Sequence, residues 1–136
     1  MDELSAIRKI ASSGIRAQGE RMRVISENIA NADATGRTPG ADPYRRKTIS
    51  FSEMVERESG VALVRADPPG RDMSAFPVRF DPSHPAADAQ GFVKTPNVSA
   101  IIEMANMREA QRSYEANMNM FETGRKMRSL MLDMLK

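Results

Sequence analysis

Between Pro96 and Lys136, apolar and near-apolar positions recur every three or four residues: Met104, Met107, Gln111, Tyr114, Met118, Phe121, Arg125, Arg128, Leu132 and Leu135. This is the a/d spacing of an amphipathic helix, with polar interruptions at Gln111, Arg125 and Arg128. A flanking row of Met120, Met127, Leu130, Met131 and Met134 widens the stripe. Pro96-Asn97 predicts the helix start, with Asn97 as N-cap, and Gly124 is the only glycine beyond it. Such a helix would be roughly 60 Å long at ~1.5 Å per residue. A small chain cannot cover that length alone, so it must lie against other helices, its own or a neighbour's.

Residues 2–32 predict a second helix. Asp2 and Glu3 sit where the helix dipole favours negative charge. Leu4, Ile7, Ala11, Gly14, Gln18, Arg21, Ile25, Asn28 and Ala32 form its heptad row, broadened by Ile10, Ile15, Met22, Val24 and Ile29. Small and polar members permit close helix approach but make a weak isolated coiled coil. Asn31-Ala32-Asp33-Ala34-Thr35-Gly36, then Pro39-Gly40, end it.

The middle, 35–95, is patterned differently. Tyr44–Phe51 alternates and predicts a strand, Ser52–Glu58 a helical turn, Val61–Val64 a second short strand and Phe76–Phe80 a third, at an edge because of Pro77. All eight prolines fall between Gly36 and Pro96, and Asp67-Pro68-Pro69-Gly70 and Asp81-Pro82-Ser83-His84-Pro85 are turn chemistry. The expected fold class is therefore mainly α: long N- and C-terminal helices pairing as a coiled-coil-like inner domain (1–34 plus 96–136), with a small loop-rich β-hairpin insertion (35–95). The positions expected at helix interfaces are Ile7, Ala11, Gly14, Ile25 and Asn28 on the first helix. On the second they are Met107, Tyr114, Met118, Phe121, Leu132 and Leu135.

Charge changes this picture little. The pI near 9.2 invites a nucleic-acid reading, but basic and acidic groups number five and four over 1–32, nine and nine over 33–95, and six and five over 96–136. No region is a footprint for a polyanion. The chain has no cysteine, hence no disulfide, thiolate metal site or cysteine nucleophile. No apolar run is long enough to span a membrane. The start, Met1-Asp2-Glu3-Leu4, has no apolar core, so no cleavable secretory signal is expected.

Candidate chemistry is sparse. His84, the only histidine, lies between prolines without metal-ligand spacing and reads as a surface turn residue. Arg45-Arg46-Lys47 has one adjacent aromatic, Tyr44, and reads as solvated charge or an inter-subunit salt bridge. No phosphate loop or nucleophile elbow is present, so no catalytic, cofactor or metal site is expected. A basic nucleic-acid or adaptor protein and a small enzyme built around His84 are the alternatives to a structural subunit.

Seven of the eleven methionines lie after residue 103. Methionine suits a surface that repacks against different neighbours better than one rigid core. Asn28, Asn106, Asn117 and Asn119 are candidates to fix register across helices. Glu109 with Arg112, and Glu122 with Arg125 and Lys126, solvate the outer face.

Several motifs resemble those of bacterial flagellar rod and hook proteins. Ser13-Gly14-Ile15-Arg16-Ala17-Gln18, Arg21-Met22 and Ser26-Glu27-Asn28-Ile29-Ala30-Asn31-Ala32 are similar to that family's N-terminal signature, closed by Thr35 and Gly36. Pro43–Lys47, Phe80–Asp88, Gly91–Val98 and Glu103–Asn117 narrow the likeness to a short subunit of the proximal rod and extend it over nearly the whole chain. The resemblance implies that the terminal helices form a tubular inner domain stacked helically around an export channel, with the insertion outside. It implies a periplasmic location in the basal body. It implies contacts with copies of itself and other rod subunits, and transient contact with the flagellar type III export apparatus. The work implied is torque transmission, with no bond made or broken.

Overall fold

A computed structural model describes residues 3–136. Asp2, expected to favour the first helix start, lies outside the described residues. Helix α1 spans Glu3–Ala30, with Glu3 in its first turn. It stops two residues before Ala32 because the Asn31 side chain turns back to donate to the Glu27 carbonyl (2.8 Å), and the Ala34 N–H closes a turn on the Asn31 carbonyl (3.1 Å).

Helix α2 spans Ala100–Met134, about 52 Å of helix at ~1.5 Å per residue. It starts later than expected. Ser99, not Asn97, sits at the cap: its carbonyl accepts the Glu103 N–H (2.9 Å) and its hydroxyl accepts the Ile102 N–H (3.4 Å). Asn97 is committed elsewhere. Its Oδ1 accepts the Arg46 N–H (2.8 Å) and its Nδ2 donates to the Asp72 carbonyl (2.9 Å).

Six short strands lie between the helices: β1 Lys47–Thr48, β2 Phe51–Val55, β3 Ala62–Ala66, β4 Gly70–Arg71, β5 Val78–Phe80 and β6 Phe92–Lys94. They form three antiparallel pairs, β1 with β4, β2 with β3 and β5 with β6, where the sequence predicts little more than one hairpin. The expected helical turn at Ser52–Glu58 is mostly strand: Phe51–Val55 pairs residue by residue with Ala62–Ala66. Pairing with an apolar partner strand outweighs the local helix propensity of Ser-Glu-Met-Val-Glu. Gly60, at φ +71°, closes this hairpin in a conformation that favours glycine.

The chain divides into two compact units. The first joins α1 through Met22, residues 49–68 and α2 from Arg108. Its buried apolar residues are small: Ala11, Ala17 and Ala110, with Leu63 from β3. The Ser13 hydroxyl ties β3 to α1 by accepting the Val64 N–H (3.2 Å) while donating to the Ile10 carbonyl (2.8 Å). The second unit joins Arg23–Thr48 to Pro69–Met107 and is built on Val24, Ile25, Ala86 and Val93, with Asn28 and Glu103 fully buried among them.

Candidate functional site

The expected functional residues are helix-face residues, and the first unit shows which face α1 turns to α2. A Cβ on Gly14 would stand 2.6 Å from the Asn117 Oδ1, and one on Gly124 would stand 3.6 Å from Ile7 Cγ2 and 3.2 Å from Arg8 Cγ. Further along, Arg21 pairs with Glu109 (3.4 Å). As α1 residue numbers rise from 7 through 14 to 21, α2 partners fall from 124 through 117 to 109, so these segments run antiparallel. Glycine at two of the three crossing points lets the backbones approach closely.

Ile7, Ala11 and Gly14 lie on this face, Ala11 and Gly14 fully buried. On α2, Tyr114 and Phe121 are half-buried on it, and the Phe121 ring carries the Arg8 guanidinium 5.5 Å from its centre. The positions between them are Ala110, Asn117 and Gly124, small or polar residues that a search for apolar periodicity passes over. Asn117 donates to Ser113 of its own helix (2.9 Å). Met118 is 38% exposed, Leu132 55% and Leu135 82%, so the chain does not bring these three to its own helix face. The register runs out of described α1 residues opposite Arg128, leaving the apolar end of α2 uncovered.

In the second unit Ile25 and Asn28 are buried and Met107 is half-buried. Asn28 does not reach a helix. Its Oδ1 accepts the Tyr44 hydroxyl (2.7 Å) and the Lys47 N–H (2.9 Å), and its Nδ2 donates to the Lys47 carbonyl (2.9 Å). The side chain thus pairs with residue 47 as a neighbouring strand would. Burial raises the Tyr44 phenol above its ordinary value, with the Glu27 charge adding to the effect.

The basic triplet is absorbed within this unit rather than presented as a solvated patch. Arg45 lies over the Phe76 ring at 4.1 Å and donates to the Asp72 carbonyl (2.8 Å). Arg46 pairs with the buried Glu103 and with Asp72 (3.6 Å). Lys47 pairs with Glu27 (2.7 Å), and that hydrogen bond is the largest cause of the lowered Glu27 pKa. Asp72 is likewise lowered, first by the Ser74 backbone N–H. The Arg46–Glu103 pair was missed by sequence reasoning. Its one signal is that Glu103 stands seven residues before the buried Ala110.

His84 is half-buried, not on the surface as expected. Its Nδ1 accepts the Ala86 N–H (2.9 Å), so the proton sits on Nε2, facing the Thr35 hydroxyl at 3.1 Å. Both ring nitrogens are used in holding loops. Among the described residues no group of acids and histidine could hold a metal ion, and no helix is long and apolar enough to cross a membrane.

Comparison with known proteins places these features. The family described as "Flagella basal body rod protein" matches residues 9–37, and that described as "Flagellar basal body rod FlgEFG protein C-terminal" matches residues 89–134. The flagellar basal-body rod protein FlgC of Agrobacterium fabrum is 52% identical over the whole of this chain and 98% of its own. The chain belongs to the FlgC family. The FlgC of Borreliella burgdorferi is 36% identical over 87% of this chain and 88% of its own. That of Salmonella typhimurium is 36% identical over 93% and 91%. As a FlgC-family member the chain is a structural subunit of the flagellar basal-body rod. The two matched regions hold α1 from Lys9 onward with its turn and the whole of α2, which carry most of the helix faces described above.

Proposed function

We propose that this chain polymerises with copies of itself and with other rod subunits into the proximal part of a tubular drive shaft. The terminal segments 1–34 and 96–136 act as its axial domain, paired in a coiled-coil-like manner, and residues 35–95 pack outside. The tube transmits torque and encloses the export channel, and its subunits reach the periplasm through the flagellum's own type III apparatus. No chemistry is required of any residue. The interface residues are Ile7, Ala11, Gly14, Ile25, Asn28, Met107, Tyr114, Met118, Phe121, Leu132 and Leu135. Some stabilise the chain itself, while Met118, Leu132 and Leu135 meet neighbours.

One observation carries this reading. Beyond Met118, α2 and the turn after it leave Met120, Met127, Leu130, Met131, Leu132, Met134 and Leu135 exposed, more contiguous apolar surface than a lone soluble chain tolerates. Unbranched methionine side chains fit an array in which one helix meets non-identical neighbours. The test is complementation of a strain lacking this protein, with Leu132→Asp/Leu135→Asp compared against Arg125→Asp at matched expression. Loss of rod assembly with the first and its retention with the second is expected. Normal assembly with Leu132→Asp/Leu135→Asp would refute the reading.

A further inference from the structure

A cleft of about 380 Å³ opens in the first unit, lined by Ser5, Arg8, Ser12 and Arg16 from α1, with Leu63 and Phe121 opposite. Lys9 and Glu56 also border it, and these two neutralise each other at 2.8 Å. The arginines are different. Neither Arg8 nor Arg16 has an acid partner among the described residues, and the Arg8 Nε–H is buried with no acceptor. A guanidinium stripped of water without an acceptor is costly, and its usual resolution is a carboxylate. Positions 8, 12 and 16 share one stripe of α1. The cleft is thus a strip of two cations without acid partners among the described residues, Arg8 lying over the Phe121 ring and Arg16 exposed, with a hydroxyl between them and Leu63 opposite.

The same chain carries the complementary strip. Glu115, Met118 and Glu122 are exposed on α2 and lie on one stripe by their i, i+3, i+7 spacing. Among the described residues Glu122 pairs with Arg125, at 4.0 Å across exposed surface. The arginines are separated by about 12 Å along their helix and the glutamates by about 10.5 Å along theirs, so both pairs can meet at once. Met118 then faces the Phe121 wall, where sulfur–aromatic contact is favourable. When the socket of one copy takes the plug of the next, copies join head to tail, and repetition builds a ring or a helical array.

We propose that the Arg8–Arg16 cleft receives the Glu115–Met118–Glu122 strip of a second copy of this chain. The inference rests on the reading that copies contact one another in the rod, and it names the contact. It is tested by charge reversal in cells lacking the native protein. Arg8→Glu/Arg16→Glu and Glu115→Arg/Glu122→Arg should each abolish rod assembly. The chain carrying all four changes should restore it, since every copy then offers a reversed socket and a reversed plug. Circular dichroism of each purified variant checks that the helices are retained. If a variant fails to fold, Arg16→Cys/Glu115→Cys in this otherwise cysteine-free chain replaces it. Oxidised basal bodies should then contain disulfide-linked copies, and their absence overturns the proposal. Normal assembly of either reversed pair, or no restoration in the four-fold variant, overturns it as well. In each such case wild-type chain recovered in basal bodies leaves the rod reading standing; wild-type chain absent from them defeats both.

Discussion

Gly14 and Gly19 lie on the same helix five residues apart, and the structure assigns opposite signs to the same substitution at the two. Nothing stands within 4 Å of a Cβ built on Gly19. Gly19→Ala therefore gains helix propensity and stabilises the chain by about 0.5–1 kcal/mol. At Gly14 the same gain is opposed by Asn117, whose Oδ1, Cγ and Nδ2 would stand 2.6, 2.8 and 2.8 Å from the new methyl. The Cγ is one bond from the Asn117 Cβ, so the whole amide has to rotate, and rotation breaks its hydrogen bond to the Ser113 carbonyl. Overpacking costs about 1–3 kcal/mol and the lost hydrogen bond about 1 kcal/mol. Against a propensity gain of about 1 kcal/mol, Gly14→Ala destabilises by about 1–3 kcal/mol.

Thermal unfolding of the purified chain, followed by circular dichroism, resolves this difference at about 3–5 °C per kcal/mol for a chain of this size. Gly19→Ala should melt above the wild type and Gly14→Ala below it. Adding Asn117→Ala to Gly14→Ala removes the obstructing amide, so the double variant should recover most of the loss, a coupling the single changes do not predict. If Gly14→Ala melts as high as Gly19→Ala, α1 and α2 do not meet at Gly14 and Asn117, and the antiparallel register built on that contact is wrong.

Arg46→Ala leaves the Glu103 carboxylate buried without its partner and should cost about 3–5 kcal/mol in urea unfolding, while Arg46→Leu/Glu103→Leu should cost clearly less. Asn28→Leu strips the Lys47 N–H and carbonyl of their partners and should destabilise by about 3 kcal/mol, against about 1 kcal/mol for Tyr44→Phe; equal losses would place the Asn28 effect in packing alone. Glu27, Glu56 and Asp72 are held below their ordinary values of 4.5, 4.5 and 3.8. Their contribution is complete above those values and is lost as pH falls through the lower, folded ones, so melting temperature should drop on acidification from about pH 5. The Tyr44 phenol is raised above 10.0, so folding favours its neutral form and stability should also decline as pH rises past that value. Unchanged melting at the acid end would remove the Lys47, Lys9 and Ser74 bonds as the source of the lowered values.

The sequence located both long helices to within a few residues, because capping, periodicity and turn signals agree at their ends. It also carried the family resemblance over nearly the whole chain. It misplaced the α2 cap, because Asn97 and Ser99 are both good caps and only the loop of Arg46 and Asp72 decides which is free to serve. Ser52–Glu58 read as a helical turn because the strand that pairs with Phe51–Val55 lies beyond the next turn and is invisible to local propensity. The face of α2 that α1 covers was half legible. Tyr114 and Phe121 stand out by size, whereas Ala110, Asn117 and Gly124 are there because small side chains admit a close neighbour. Apolar periodicity finds surface that seeks cover; it does not say whether the cover comes from the same chain or the next. The Asn28–Lys47 and Arg46–Glu103 pairs join residues far apart in sequence, and beyond the heptad spacing of Glu103 from Ala110 no periodicity points to them.

The central claim is that this chain builds the rod wall with its terminal helices. A density map of the assembled basal body, with this protein placed in it, tests that claim most directly. The account predicts α1 and α2 packed in the tube wall against neighbouring subunits, the exposed Met127–Leu135 stretch of α2 covered, and residues 35–95 on the outside. A map in which residues 35–95 line the channel, or in which the end of α2 remains bare in the assembled rod, would contradict it.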